Sequence, residues 1–490
     1  MPQTREKKST LKNIVFGKAS AERESVENPD LLTRGYLDPF NLICEARGVG
    51  KFLFLGYKGS GKSAIGEHLR LSSESDSQLF VNHLSLADFP FAPFSRLVDA
   101  ETEPESKYPS AWSWLLLLQL VDSFSKDQGS NVRLDDELFY AFETLRESGL
   151  IPSPDFKHIV NTSIKSSVSL KLAGVGAGFE RAYNGDAIDI PFFATRLKML
   201  VARFKSGSRH LLILDGLDDI LTQKGPQYES LAALIYEADR LNIMFVRESI
   251  PAKVIVLCRT DLFERLPNAN KNKIRQDSAI HLDWYHDPRS PDNSKLIELV
   301  NHRASLAFSG PIDIFGEFLP QRVHRPNDPV GQDTRRMLLD LTRHTPRDMI
   351  SLMNHIQHFY TRGCLSHDQL LSGARSYSVD YFVPEIKDEL AGYLSPEDID
   401  RTMVLLGSLR KRDFTFVELL EQARKTKGCE KLDLEAALRL LFDCSAVGNL
   451  ETWPGGTTFY TFKYRNRNSV LNSESRLILH RGMWKALNLT

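Results

Sequence analysis

Several features are scarce in this chain of 490 residues, and each scarcity argues against a class of protein. The five cysteines are scattered, without a CxxC pair or a Cys/His cluster of metal-ligand spacing. Neither a disulfide framework nor a zinc site is therefore indicated. Reduced thiols fit the cytoplasm, and we expect that location. No internal repeat is present in the sequence.

An excess of charge of one sign is also lacking. Lysine and arginine (62) nearly cancel aspartate and glutamate (63), so any nucleic-acid contact would need a local basic patch. The most apolar run, Trp112 to Val121, is too short to span a bilayer and predicts a buried helix. The basic first residues lack an apolar segment, so we expect no secretory signal and no membrane partner.

The first part of the chain predicts an α/β domain. Residues 1–30 are polar and charged, which predicts a flexible arm. In residues 31–290, apolar strands alternate with helices, which favours a mostly parallel, doubly wound sheet. An insertion at about 96–190 carries a glycine-rich segment near 166–182, and its alternating apolar positions predict a β-hairpin, with a plain flexible loop as the alternative. We expect this insertion to project from the sheet as a contact element for a partner or a second copy.

The second part of the chain predicts two smaller domains. Residues 291–392 have a helical pattern and predict a helical lid. Residues 395–490 contain three short amphipathic helices followed by two strands joined at Pro454-Gly455-Gly456. This order of helices and hairpin is the winged-helix arrangement.

A glycine-rich motif follows the first apolar strand, Lys51 to Leu55, and opens a predicted helix. This GxxxxGK[ST] pattern between strand and helix predicts a phosphate loop for ATP or GTP. Glycines let backbone N–H groups turn toward phosphates, and the helix amino terminus adds its dipole. Lys62 is expected to reach the β- and γ-phosphates, and the Ser63 hydroxyl to ligate Mg²⁺. The predicted nucleotide-binding residues are Gly56, Gly59, Ser60, Gly61, Lys62, Ser63 and Ala64.

Acidic residues follow a second strongly apolar strand, Leu211–Leu214. Asp215 comes directly after that strand, at the carboxyl edge where the phosphate loop also lies, and is predicted to hold Mg²⁺ with Ser63. Asp218 and Asp219 follow in the next loop and are candidates to polarise the attacking water, with Asp219 favoured. The alternative, that these are solvated loop acids, stays open.

Two arginines complete the predicted site. Arg259 ends the apolar strand Val254–Leu257 and is a candidate to sense the γ-phosphate, although a structural salt bridge would also explain it. Arg347 follows Pro346 at the start of a helix in the predicted lid, from where it could reach the nucleotide. An ordinary helix start with Asp348 in the first turn is the alternative.

With these elements the chain resembles the additional-strand class of P-loop ATPases, in particular AAA-related and STAND or NACHT-type switches. LLILDGLDD is similar to the NACHT-type hydrophobic-DGLDE signature, with Asp219 where glutamate is usual, which leaves the rate of hydrolysis open. VIVLCR is similar to the arginine-ended sensor strand, and HTPRDMISLMNHI to the GxPR sensor helix, with His344 in place of glycine.

Segments outside those motifs also resemble a bacterial P-loop ATPase family found in mobile and phage-defence gene neighbourhoods. They are FGKASAE, LLTRGYLDP and KFLFLGYKGSGKSAIGE near the amino terminus, and FYTFKYRN and LILHRGMWKALNL near the carboxyl terminus. This resemblance implies a role in defence. Because no nuclease, protease or NADase constellation is visible in the sequence, we expect any destructive effector to be a separate protein.

The predicted function is a molecular switch that binds and hydrolyses Mg-ATP and couples it to domain rearrangement or oligomerisation. A homo-oligomer is expected, because such ATPases often take an arginine from a neighbouring subunit. Arg265, Lys273 and Arg275 are the candidates for this group, although a solvated surface would also account for each.

Two other functions compete with the switch. A DNA-binding AAA-type ATPase would use the winged helix, with phosphate contacts from Arg410-Lys411-Arg412, Lys463, Arg465 and Arg467. Its third helix offers Asp433 and Glu435 against Arg439 alone, a poor composition for reading a major groove. A small-molecule kinase would leave the sensor strand, the lid and the winged helix without a role.

Overall fold

The computed structural model describes residues 10–97, 104–134, 136–165, 190–217, 226–267, 271–287, 289–308, 310–325, 328–452, 456 and 458–489. The chain divides into two compact units. The helical unit comprises Met1–Leu37, Tyr57–Gly61 and Asp283–Thr490, and the sheet unit comprises Asp38–Gly56 and Lys62–Leu282. The chain leaves the sheet unit after Gly56 and re-enters it at Lys62, so two of the connections between the units lie in the phosphate loop, and the others follow Leu37 and Leu282.

The strands of the described residues are β1 (Leu53–Gly56), β2 (Leu79–Ser85), β3 (Arg209–Asp215), β4 (Ala252–Arg259), β5 (Ala279–His281), β6 (Arg322–Arg325), β7 (Asp328–Asp333), β8 (Asp413–Phe414), β9 (Val447–Thr452), β10 (Thr458–Thr461) and β11 (Arg476–Leu479).

The α-helices up to the end of the sheet unit are α1 (Ala21–Glu27), α2 (Pro29–Thr33), α3 (Leu42–Arg47), α4 (Lys62–Ser73), α5 (Phe91–Phe94), α6 (Pro104–Ser125), α7 (Glu137–Glu147), α8 (Phe156–Lys165), α9 (Ile190–Val201), α10 (Pro226–Arg247), α11 (Thr260–Arg265) and α12 (Lys271–Asp277).

The later α-helices are α13 (Lys295–Ser305), α14 (Ile314–Phe318), α15 (Thr334–Leu341), α16 (Pro346–His358), α17 (His367–Tyr377), α18 (Val383–Leu390), α19 (Pro396–Ser408), α20 (Phe416–Lys425), α21 (Leu434–Asp443) and α22 (Arg481–Trp484). No helix among the described residues has both the length and the apolar character needed to cross a membrane.

A parallel sheet organises the sheet unit and confirms the predicted α/β fold. Its strand order is β2-β3-β4-β1-β5, and each neighbouring pair is parallel. The strand β4 therefore lies between β1, which leads into the phosphate loop, and β3, which ends in Asp215. This is the additional-strand arrangement that the sequence predicts. The short strand β5 was not predicted.

The core of the sheet unit is formed largely by the predicted insertion. Helix α6 packs against α9, α10 and β3, and Trp112 and Trp114 on it are buried. The Trp112 indole donates a hydrogen bond of 2.8 Å to the carbonyl oxygen of Ser230 in α10. The apolar run Trp112–Val121 is thus a buried helix, as predicted. The expectation that the insertion projects is not met by α6, because its apolar side chains close the core; the predicted hairpin at 166–182 lies outside the described residues.

The helical unit begins earlier in the chain than predicted. The predicted arm, residues 1–30, is folded from Thr10 onward, with Leu11 and Phe16 buried. Arg303 of α13 fixes this segment, since it pairs with Glu24 at 2.7 Å and donates to the carbonyl oxygen of Phe16 at 2.7 Å. Residues 291–392 are mainly helical, as expected, and also contain the hairpin β6–β7, which the sequence did not predict.

The carboxyl-terminal segment contains the predicted helices and hairpin. Helices α19, α20 and α21 are followed by the antiparallel strands β9 and β10, and β11 and β8 complete a four-stranded sheet. A capping box between Thr415 and Glu418 begins α20, and Ser395 caps α19. The element order agrees with the sequence, and the role of a winged helix stays a prediction.

Candidate functional site

The phosphate loop has the backbone conformation that its glycines allow. Gly59 and Gly61 have φ angles of +81° and +94°, a region that residues with a Cβ rarely adopt. The loop closes through a hydrogen bond of 3.1 Å from the Ser60 N–H to the Tyr57 carbonyl oxygen. The Ser60 carbonyl oxygen accepts a bond of 2.8 Å from the Trp284 indole. The buried Ser60 hydroxyl has no hydrogen-bond partner among the described residues.

Helix α16 begins against this loop within the helical unit. Thr345 caps the helix by accepting a bond from the Asp348 N–H, and Pro346 occupies the first turn. The Arg347 N–H donates to the Gly59 carbonyl oxygen at 3.3 Å. A Cβ on Gly59 would lie 3.0 Å from the Arg347 Cβ and 3.2 Å from the Thr345 Oγ1. The predicted sensor arginine is therefore packed on the phosphate loop.

Glu385 of α18 joins a loop lysine to the predicted sensor arginine. Its Oε1 lies 2.9 Å from Lys58 Nζ and 3.4 Å from Arg347 NH1. Burial raises the pKa of Glu385, but Lys58 first and then Arg343 and Arg347 outweigh that effect and lower it. Glu385 is thus ionised at neutral pH and neutralises two cations of the candidate site.

A buried ion-pair network fixes the start of α16. Asp348 is fully buried and accepts hydrogen bonds from Arg343 N (2.9 Å), Arg343 Nε (3.1 Å) and the Tyr381 hydroxyl (3.0 Å). Arg343 also pairs with Glu389 of α18. Asp348 therefore does not act only on the first turn of α16. It connects the start of this helix to Tyr381 directly and to Glu389 through Arg343.

The backbone conformation of His344 explains why the GxPR pattern has glycine at this position. Its φ is +53°, a left-handed conformation in which glycine is unstrained. Here the imidazole stacks on Tyr464 with centroids 5.3 Å apart, and Tyr285 lies 5.0 Å away. Both ring nitrogens are buried and have no hydrogen-bond partner in the described part of the chain. Burial, with the charge of Arg465, lowers the pKa of His344 to about 3, so the ring is neutral.

In the sheet unit, Lys62 and Asp215 lie where the sequence places them. Lys62 begins α4, is buried, and donates from Nζ to the Gly56 carbonyl oxygen at 3.2 Å. Asp215 ends β3. Burial raises the pKa of Asp215, but interactions with His83 and then Ser63 outweigh burial and lower it. The predicted magnesium ligands Ser63 and Asp215 are therefore within reach of each other.

His83 is a residue of the site that the sequence analysis missed. From β2, its Nδ1 lies 2.9 Å from Glu67 Oε1 and its Nε2 lies 3.6 Å from Asp215 Oδ2. Burial lowers the pKa of His83, but Asp215 and Glu67 outweigh it and raise the pKa to about 9. Gly66 of α4 makes room for the ring, since a Cβ there would lie 2.6 Å from His83 Nε2. The imidazole thus lies between two carboxylates, with Nδ1 at hydrogen-bond distance from Glu67 and Nε2 at ion-pair distance from Asp215.

Arg259 forms the structural salt bridge that the sequence analysis left open. Its Nε and NH2 donate to the two carboxylate oxygens of Asp261 at 2.8 and 2.6 Å. Burial raises the pKa of Asp261, whereas Arg259, Arg265 and Lys62 lower it. A bidentate pair of this kind fixes the guanidinium. To contact a phosphate, Arg259 would have to release Asp261 and bind the phosphate instead.

The remaining predicted residues divide into three groups. Asp218 and Asp219, the candidate water-polarising acids, lie outside the described residues. Ala64 lies in the first turn of α4. Of the candidates for an arginine acting on a neighbouring subunit, Arg275 is held by Glu264 at 2.9 Å within its own chain.

Several basic groups proposed for DNA contact are engaged within the chain. Arg465 lies 4.5 Å from the centroid of Tyr460 and 3.8 Å from Asp340, with a side chain 15% exposed. Lys411 pairs with Glu418 at 2.6 Å, and Arg412 lies over the ring of Trp484. These contacts weaken the case for a phosphate-binding surface there.

The residues fit a nucleotide phosphate and a magnesium ion. In the helical unit, the left-handed Gly59 and Gly61 and the buried Ser60 hydroxyl, which has no hydrogen-bond partner in the described part of the chain, suit an anion. In the sheet unit, the buried Lys62 at a helix amino terminus does so as well. A hydroxyl and a carboxylate oxygen, from Ser63 and Asp215, suit the oxygen preference of Mg²⁺. Among the described residues, no group of three His, Cys, Asp or Glu could hold a metal by itself.

Local sequence patterns could not have identified Glu385, Lys58 or Glu67 as parts of the site. Lys58 occupies a variable position of the loop motif, and Glu385 is separated from Arg347 by 38 residues. For His83 a weak signal existed, because a histidine interrupts the apolar residues of the strand Leu79–Ser85.

Comparisons with known proteins found no matching protein-family model and no matching curated protein. The Orc1 protein of Aeropyrum pernix, solved in complex with DNA, is 13% identical, with 95% of this chain and 96% of that chain covered and a TM-score of 0.38. Cdc6p from Pyrobaculum aerophilum is 12% identical, with 91% and 93% covered and a TM-score of 0.29.

Proposed function

We propose that the chain binds Mg-ATP at the phosphate loop and acts as a nucleotide-operated switch. The observation that carries the proposal is the pair of left-handed glycines, Gly59 and Gly61, directly before the buried Lys62 at the start of α4. Glycines in this conformation allow backbone N–H groups to turn toward an anion, and a lysine at a helix amino terminus supplies a cation. The strand order, with Asp215 at the end of β3, supports the same proposal.

In this proposal the phosphates are held by Gly56–Lys62, and Mg²⁺ by Ser63 and Asp215. When bound, Mg²⁺ neutralises phosphate charge and orients the terminal phosphate for attack by water. The ring nitrogens of His83 lie beside the carboxylates of Glu67 and Asp215 and offset their negative charge. Asp218 or Asp219 is proposed to polarise the water, which would make the chain an ATPase.

The switching element is proposed to be Arg347 with Glu385. Arg347 lies on the phosphate loop through its backbone and shares Glu385 with Lys58. A terminal phosphate would compete with this carboxylate for both cations. Exchange of partners would alter the contacts of α18, and a rearrangement of this type couples nucleotide state to domain movement or assembly. A homo-oligomer and a role in phage defence are proposed from the sequence resemblance alone, and a separate effector because the sequence shows no nuclease, protease or NADase constellation.

A size measurement with and without Mg-ATP tests the switch. We expect a change of hydrodynamic size or assembly state in the wild type and none in Lys62→Ala, together with loss of ATP binding in that variant. If ATP binds but the size is the same in all conditions, the switch-by-assembly part is overturned and the binding part stands. If labelled ATP does not bind to the wild type, the whole proposal is overturned.

DNA binding by the carboxyl-terminal segment remains the alternative function. Its basic groups Arg465, Lys411 and Arg412 are engaged with rings or carboxylates of the chain. A mobility shift at low salt that falls steeply as salt rises would support DNA contact. Absence of a shift at low salt would remove this alternative.

A further inference from the structure

A cavity of about 340 Å³ lies at the edge of the parallel sheet opposite the phosphate loop. It is lined where β3 and β4 begin, by Arg209, Ala252 and Lys253. The carboxyl ends of the same two strands carry Asp215 and Arg259. Strands such as β3 and β4 span about 20 Å, so the cavity at their start is separate from the candidate nucleotide site at their end.

Two basic side chains line this cavity, and neither has a carboxylate partner in the described part of the chain. Lys253 is 2% exposed, and its Nζ donates to the carbonyl oxygens of Glu45 (2.6 Å) and Gly48 (3.0 Å). Arg209 donates from NH2 to the same Gly48 oxygen at 2.9 Å, and its buried Nε has no hydrogen-bond partner within the described ranges. No carboxylate of the described residues lies within ion-pair distance of either cation.

The two cations repel each other. Burial, followed by the charge of Arg209, lowers the pKa of Lys253 to about 8, although Glu45 attracts it from beyond ion-pair distance. Burial also lowers the pKa of Arg209. Buried charges of one sign are ordinarily paired, because burying an unpaired charge is costly. An anion placed between these groups would relieve both the repulsion and the desolvation.

The rest of the lining is mainly apolar. Phe245, Val246 and Ile250 line the cavity, and the Asn242 amide is already used, since it bonds the backbone of Val254 in both directions at 2.8 and 2.9 Å. Apolar walls with a small number of convergent polar groups are typical of small-molecule sites. The lining therefore favours a ligand with an apolar part beside its anionic group.

We propose that this cavity is a second ligand site, which binds a small organic anion, a carboxylate or phosphate attached to an apolar group. Arg209 and Lys253 hold the anionic group, and the side chains around Phe245 hold the apolar part. The site is independent of the nucleotide proposal, because no residue of the phosphate loop lines it.

Phenyl phosphate and phenylacetate, titrated into the full chain carrying Lys62→Ala, test the proposal. Lys62→Ala removes phosphate binding at the phosphate loop, and saturation-transfer NMR or calorimetry then reports the second site. We expect saturable binding of at least one of the two anions, which also tells phosphate from carboxylate preference. Benzylamine, of similar shape and opposite charge, should not bind.

Substitutions in the same background locate the site. Arg209→Met keeps an apolar stem and removes the cation, and Val246→Trp fills the cavity from an exposed position; each should weaken binding by about tenfold or more. Arg240→Met is the matched control, since this arginine lies on α10 with a side chain 72% exposed and should leave binding unchanged. Thermal unfolding of each variant verifies folding, and Val246→Trp keeps the test decisive if Arg209→Met does not fold. The proposal is overturned if neither anion binds, if benzylamine binds equally, or if Arg209→Met and Val246→Trp both bind as the control does.

Discussion

The backbone N–H of Arg347 donates a hydrogen bond of 3.3 Å to the carbonyl oxygen of Gly59. A glycine of the phosphate loop and the first turn of α16 are thus packed together inside the helical unit. The contact is backbone to backbone, so it does not depend on the position of the arginine side chain. A change in the conformation of the phosphate loop must therefore alter the first turn of α16.

Gly59→Ala should impair both stability and nucleotide binding. At φ +81° an alanine is strained by about 1–2 kcal/mol, and its Cβ would also lie 3.0 Å from the Arg347 Cβ. We expect a loss of stability in urea unfolding and at least tenfold weaker ATP binding in calorimetry. Gly149→Ala is the control, because Gly149 has φ +71° with nothing within 4 Å of the added Cβ. Equal effects of the two substitutions on ATP binding would contradict the contact argument.

Glu385→Gln should strengthen ATP binding. The substitution removes the charge that neutralises Lys58 at 2.9 Å and Arg347 at 3.4 Å, so a phosphate no longer competes with a carboxylate for these cations. We expect an affinity for Mg-ATP higher by about threefold to tenfold, measured by calorimetry at fixed salt. Asp388→Asn is the matched control on α18, as Asp388 is exposed. An affinity that falls or stays constant in Glu385→Gln would refute the competition.

Much of the fold could be predicted because its signals are local. The apolar run of β1 leads into Gly56 of the phosphate loop, and the runs of β3 and β4 end in Asp215 and Arg259, so each strand was found together with a candidate site residue. The strand β5 was missed because Ala279–His281 is too short to show alternation. The expectation that the insertion projects is not met by α6, whose apolar run had itself predicted a buried helix.

The partners within the site depended on contacts between distant residues. His83 reaches Asp215 only because β2 and β3 pair in parallel with Ser85 opposite Asp215. The sequence around Arg259 did not show whether this arginine senses phosphate or forms a salt bridge. Its partner Asp261 could equally have been an acidic residue in the first turn of a helix. The contacts of His83 and Arg259 depend on strand register and tertiary packing, and no local sequence pattern indicates them.

Gly66→Ala should be destabilising even though it places a better helix former in α4. Alanine favours a helix interior over glycine by about 1 kcal/mol, but its Cβ would lie 2.6 Å from His83 Nε2, and overpacking of this kind costs about 1–3 kcal/mol. We expect lower stability in urea and weaker magnesium-dependent ATP binding, because the displaced ring no longer faces Asp215. In the double variant Gly66→Ala/His83→Ala the clash is absent, so the stability cost of Gly66→Ala should vanish or reverse. If Gly66→Ala costs the same with and without His83, the clash is not its cause.

The buried His344 should make the chain sensitive to acid. Its folded pKa, about 3, is below the usual value near 6.5, so the unfolded chain takes up a proton first as the pH falls. The stability associated with the neutral ring is present above pH 6.5 and is lost progressively as the pH falls toward 3. Between pH 6.5 and pH 4 this loss amounts to roughly 3 kcal/mol.

His344→Phe tests that account, because phenylalanine retains the ring contacts with Tyr464 and Tyr285 and does not titrate. Urea unfolding from pH 7 to pH 4 should show a shallower decline of stability in His344→Phe than in the wild type. His158→Phe, at an exposed histidine, should keep the wild-type slope and controls for the loss of one histidine. Equal slopes in the wild type and His344→Phe would show that other groups, such as the buried His210, whose pKa burial lowers to about 4, dominate the acid sensitivity.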